Sequence, residues 1–128
     1  MIIFNAVIFL SMALLNYAVG KFMIKAGRGY NSFGRAMASE EAQNFAARTY
    51  GVLLVKSTAP VIMITLAALV VNFLYLRNIT IEVMMVFLLT ALHCVIHIVF
   101  VVRTEKRLRR YFDKNGNKLI YKPDKMTI

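Results

Sequence analysis

One cysteine, Cys94, is all the chain has, so no disulfide can close within it. Only six acidic residues stand against sixteen basic ones. No two carboxylates have catalytic spacing, and there is no glycine-rich phosphate loop and no Ser/His/Asp arrangement. No catalytic residue is therefore nominated, and no cofactor is implied. Internal repeats and low-complexity segments are absent too. The most telling absence is of charge itself: Ile2 to Gly20, Ser57 to Leu76 and Val83 to Val102 contain no charged residue. A helix needs roughly 20 apolar residues to cross the hydrocarbon core of a bilayer. Each run meets that length, and little of the 128 residues remains for a water-soluble domain. Hydrophobic residues make up 59% of the chain and mean hydropathy is +0.63, more apolar surface than so small a soluble fold could hide. The first run lacks the positive start of a cleavable signal peptide and is too long for one, so it reads as a span.

The charges that are present orient these spans. Lys21, Lys25, Arg28, Arg35 and Arg48 follow the first run, Arg77 alone lies between the second and third, and nine Lys or Arg residues from Arg103 to Lys125 follow the last. Positively charged loops stay on the cytoplasmic side. The expected fold is all-α, one integral membrane domain, N-out and C-in. Its spans cover about 2–22, 52–76 and 81–103, with a cytoplasmic helical loop over 23–51 and a basic cytoplasmic tail over 104–128. The net charge of +10 then marks contact with anionic lipid and not with nucleic acid.

The loop has internal punctuation. Gly27, Gly29 and Gly34 predict irregular chain. Ser39 has the character of a helix N-cap, with Glu40 and Glu41 suited to the positive end of the helix dipole. Ala42, Phe45, Ala46 and Thr49 continue at helical spacing. The apolar side of this helix is expected to pack on the membrane surface or on the end of another span. The helix runs toward the second span with a bend at Gly51, and Pro60 should kink that span. The third span should continue as a helix from Arg103 to Phe112, with Glu105 and Arg109 an i, i+4 pair. Beyond it, Asn115-Gly116 reads as a turn that makes the tail either a small hairpin or a mobile end.

Several polar groups stand in or beside the spans. Lys56, at the start of the second, either snorkels to the interface or faces an anionic partner. His93 and His97 share a helical face, a spacing found in metal sites. No Asp, Glu or second Cys within the spans completes such a site, so the alternative is hydrogen bonding across helices or to backbone. Asn5 and Asn16, eleven apart on nearly one face, and Asn72 have the character of interhelical hydrogen-bonding groups, the alternative being a polar path. Glu82 suits the N-terminus of the third span. Asn78-Ile79-Thr80 matches a glycosylation sequon too close to the membrane to be used.

The stretch Ser39 to Leu54 reads SEEAQNFAARTYGVLL. With Gly29-Tyr30 and Arg35-Ala36-Met37 before it, it resembles the SdpI family, bacterial immunity proteins against secreted sporulation-delaying peptide toxins. Glu41, Phe45, Ala46, Arg48, Gly51, Leu53 and Leu54 carry the family's helix and its lead into a span. Gln43 replaces the usual tryptophan, Asn31 replaces an arginine, and the turn is one residue longer. The resemblance implies a non-enzymatic protein of the bacterial cell membrane that protects its producer against a membrane-active peptide or bacteriocin, and it permits a signalling role. Its partners would be the toxin or a membrane receptor for it, a second copy, or another membrane subunit. Arg35, Met37, Glu41, Phe45 and Arg48 become candidate functional residues, beside Lys56, His93 and His97. Glu41 and Arg48 lie seven apart on nearly one face, and with Arg35 they are the charged positions of the resemblance; if the three form one ion-pair cluster, it would fix the loop against the second span. Two other readings stand beside this one: an accessory subunit of a transport or secretion complex, and a small lipid kinase. The kinase would need a carboxylate pair on a late helix to hold magnesium-ATP, and no acid lies between Glu82 and Glu105.

Overall fold

A computed structural model describes residues 2–30, 34–76 and 79–119. Asn31, Arg77, Asn78 and the tail from Ile120 onward lie outside the described residues, as does the side chain of Asn5. The described chain is all-helical: α1 (Ile2–Ala26), the single turn α2 (Arg35–Ala38), α3 (Glu40–Val71) and α4 (Ile79–Tyr111). Three of these helices are long and apolar enough to cross a membrane. The chain thus has the build of a multi-pass membrane protein.

Local chemistry sets the helix ends. Gly27, at φ 63°, stops α1 by a left-handed turn, its N–H donating to the Met23 carbonyl at 2.9 Å. Ser39 caps α3 as its sequence context predicts: its hydroxyl oxygen accepts from the Ala42 N–H at 3.1 Å. α3 then continues through Gly51 and Pro60 as one helix of 32 residues, with no separate loop helix ahead of a span. The helix is unbroken at Gly51, which is where α3 crosses α1, opposite Gly20. Past Val71 the backbone widens into a π-helical turn, Asn72–Leu76, a local form that often marks functional positions.

At 1.5 Å per residue, α3 and α4 are each about 50 Å long, well beyond a hydrocarbon core of about 30 Å. They run antiparallel, and their surplus turns meet at the basic end of the bundle. Burial follows this geometry. Tyr30, Ala36, Ala42, Ala46, Leu108 and Phe112 form a closed core at that end. The spanning portions instead expose large apolar side chains, such as Leu14, Leu15, Met63, Phe87 and Leu88. So much continuous apolar surface belongs against lipid. Within the spans, Thr58, Thr65 and Thr90 each donate to the carbonyl four residues back, which satisfies their hydroxyls inside their own helix.

Candidate functional site: a groove at the basic end and the polar seam beside it

Ala42, Ala46 and Ala47 leave one face of α3 almost flat, and each is fully buried. The end of α4 and the chain after it lie on that face. Phe45 stands between the alanines, half-buried, its ring 5.2 Å from that of Tyr111 and 5.5 Å from that of Phe112. These rings are the floor of a groove of about 820 Å³, whose sides are Glu40, Glu41, Asn44, Arg48 and Lys118.

The tail closes the groove by turning back. Phe112 and Lys118 form an isolated antiparallel bridge, Asp113 N–H donates to the Asn117 carbonyl, and Leu119 N–H donates to the Tyr111 carbonyl. Asn115-Gly116 forms the turn, so the hairpin alternative holds as far as residue 119. The Asp113 carboxylate accepts the backbone N–H groups of Asn117 and Asn115, each at 2.8 Å. Those bonds, the one from Asn117 first, hold its carboxyl below the ordinary range. Gly116, at φ 77°, sits so close to Ser39 that a Cβ there would lie 2.8 Å from the Ser39 nitrogen. The Ser39 hydroxyl, already accepting from Ala42, donates to the Gly116 carbonyl at 2.7 Å. One side chain thereby caps α3 and holds the tail.

Glu41, Arg35 and Arg48 form no ion-pair cluster among the described residues. Two helical turns separate Glu41 from Arg48 by about 10 Å along the axis, too far for an ion pair even on one face. Glu41 pairs instead with Lys118 of the tail at 3.5 Å, and Glu40 lies 4.0 Å from Arg28. Both pairs are solvent-exposed and contribute little to stability. Arg48 is exposed and makes no ion pair among the described residues. Arg35 opens α2 on the other side of the tail, half-buried beside Glu105, Arg109 and Lys114. Met37 is exposed and borders a separate shallow depression with Arg28 and Gln43. Lys56 is exposed on α3.

Further along the bundle a polar seam joins the three long helices. Asn16 of α1 reaches His97 Nε2 of α4 at 3.4 Å, and Tyr50 of α3 meets His97 Nδ1 at 2.8 Å. With the Asn16 amide donating to Nε2, the neutral imidazole carries its proton on Nδ1 and donates it to the Tyr50 oxygen. His93 is buried and bonds within its own helix, Nδ1 with the Leu89 carbonyl at 3.0 Å, its ring against Phe9. Both histidines thus follow the interhelical and backbone reading. Among the described residues no three of His, Cys, Asp and Glu gather as a metal site. Tyr50→Phe should leave the Nδ1 proton without an acceptor. Buried bonds of this kind between membrane helices average about 0.6 kcal/mol and reach about 1.7 kcal/mol. Unfolding in detergent should show a loss in that range, and in a double-mutant cycle with His97→Ala the two losses should not add; full additivity would refute the bond.

Sequence reasoning did not pick out Tyr30, Tyr50 or Lys118. Tyr30 is buried beside the Tyr50 ring, and its hydroxyl donates to Glu105 at 3.3 Å. Tyr30, in the turn after α1, meets Tyr50 of α3 only through tertiary packing, and Lys118 meets Glu41 only when the tail folds back; Gly29-Tyr30 and the stretch that contains Tyr50, within the resemblance, were their only linear signals. No family model matches the chain, nor does any curated protein or solved structure.

Proposed function

We propose that this chain is a non-enzymatic immunity protein of the bacterial cell membrane, similar to the SdpI family, which protects its producer against a membrane-active peptide. One observation carries the reading. Glu41, Phe45 and Arg48, which carry the resemblance, line a single groove together with the end of α4 and the tail. The positive-inside distribution of Lys and Arg puts that groove in the cytoplasm, with the N-terminus outside. A protein acting by contact needs such a surface: an aromatic floor for apolar anchoring, with Glu41 and Arg48 at the rim to orient a partner. The exposed apolar faces of the spans would meet the toxin, or a receptor carrying it, within the bilayer and compete with pore assembly. The groove would hold a cytosolic or juxtamembrane partner, which is also how a signal could leave the membrane.

The test is survival of a toxin-sensitive strain across a peptide dilution series, with membrane levels followed by immunoblot. Expression of the chain should raise the lethal concentration. Arg48→Ala, at an exposed position outside any ion pair, should lower protection without lowering the amount in the membrane. Full protection by Arg48→Ala would detach the groove from the function. No rise in the lethal concentration of any membrane-active peptide tested, on expression of the native chain, would remove the immunity reading.

A further inference from the structure

At the end of the bundle away from the groove lies a small cavity of about 20 Å³, whose lining includes Thr65, Asn72 and Glu82. That is room for about one water-sized particle. Three of the lining residues are polar, and they share a chemical bias. Asn72 is 6% exposed, and its side-chain carbonyl oxygen has no hydrogen-bond partner. Thr65, 1% exposed, has committed its proton to the Val61 carbonyl at 2.9 Å, leaving only lone pairs to offer. Glu82 is half-buried and makes no ion pair among the described residues. The other lining side chains are apolar. The polar residues lining the cavity thus carry an amide, a hydroxyl and a carboxylate, with no Lys, Arg or His among the described lining residues.

A buried acceptor without a partner, as at Asn72, is unfavourable until something supplies positive charge or a proton to it. A single small cation is a ligand that suits an amide carbonyl, a hydroxyl oxygen and a carboxylate together. One carboxylate balances one positive charge, and the want of a second acid argues against a divalent ion, which draws on several carboxylates. The backbone points the same way. Asn72 opens the π-helical turn at the C-terminal end of α3, where the helix dipole is negative. The π-helical turn that Asn72 opens is a local form that recurs at functional positions.

We propose that Asn72, Thr65 and Glu82 form a binding site for one monovalent cation of sodium size. The site locks the α3 π-turn to the start of α4, and it is independent of the groove and of the immunity reading.

Thermal unfolding of the purified full-length protein in detergent tests this. Sodium chloride and choline chloride are compared at equal ionic strength, since choline is too large for the cavity. A ligand bound only by the folded state raises the midpoint with its concentration. The midpoint should climb with sodium and stay level with choline. Radioactive sodium should bind at one equivalent per chain. Glu82→Gln, which preserves size and removes the charge, should abolish both effects. If Glu82→Gln does not fold, Asn72→Ala and Thr65→Val carry the same test, and loss of the sodium shift in either supports the site. Equal midpoints in the two salts would mean the cavity holds a water only. A sodium shift retained in a folded Glu82→Gln, or in both other variants, would place the ion elsewhere. Either result overturns the proposal.

Discussion

Gly51→Val should cause a large loss of stability by forcing two helices apart. A Cβ at Gly51 would lie 2.7 Å from the Gly20 carbonyl oxygen and 3.0 Å from Ile24 Cγ1. The reciprocal Cβ at Gly20 would lie 2.8 Å from the Gly51 carbonyl oxygen. The obstacle on each side is backbone, which cannot rotate away like a side chain, so α1 and α3 must move apart. Membrane helices hold together through close packing at small residues, since lipid is as apolar as their side chains. Separation at Gly51 therefore also loosens Met23 and Leu54, core residues on either side of the crossing. Overpacking costs about 1–3 kcal/mol where neighbours can yield, and Gly51→Val should reach or exceed the upper end of that range. Gly51→Ala should fall between wild type and valine. Denaturant titration in detergent, followed by circular dichroism, reads both. Wild-type stability in Gly51→Val would mean the two helices do not cross at these glycines.

The second large effect is expected of Phe45→Asp. Phe45 packs on the core and makes ring contacts with Tyr111 and Phe112, each pair worth about 0.5–1.5 kcal/mol beyond simple burial. Aspartate removes both contacts and sets a third negative charge beside Glu40 and Glu41. A loss of about 2–4 kcal/mol follows, with the tail released from α3. Faster amide exchange at Phe112 and Leu119, whose N–H groups now donate to carbonyls, would report that release. Phe45→Leu should retain most of the stability. Unchanged exchange in Phe45→Asp would show that the aromatic floor does not hold the tail.

The three spans were legible because run length and the lack of charge are one-dimensional properties, visible without any contact. The Ser39 cap and the Asn115-Gly116 turn were legible for the same reason: each depends on residues a few positions apart. Pairings across helices were not. Gly51 in isolation looks like a weak point of a helix, and only Gly20 on the facing helix makes it a crossing. Glu41 had cations nearer in sequence than Lys118, which comes within reach only when the tail folds back. The π-turn at Asn72 has no sequence signal of its own; it arises where α3 turns toward α4. Of the candidate residues, Glu41, Phe45 and Arg48 did converge, while Met37 and Lys56 lie outside the groove, each exposed.

Which side of the membrane the packed basic end occupies decides the proposed mode of action, because that mode requires a cytoplasmic groove beside exposed apolar spans. Cysteine labelling of intact cells decides this directly, in a Cys94→Ala background that removes the native exposed thiol. Asn78→Cys, in the short connection between α3 and α4, should react with an impermeant maleimide from outside. Asn115→Cys, at the tail turn, should react only after the cells are permeabilised. The opposite pattern would put the groove outside the cell and contradict the account.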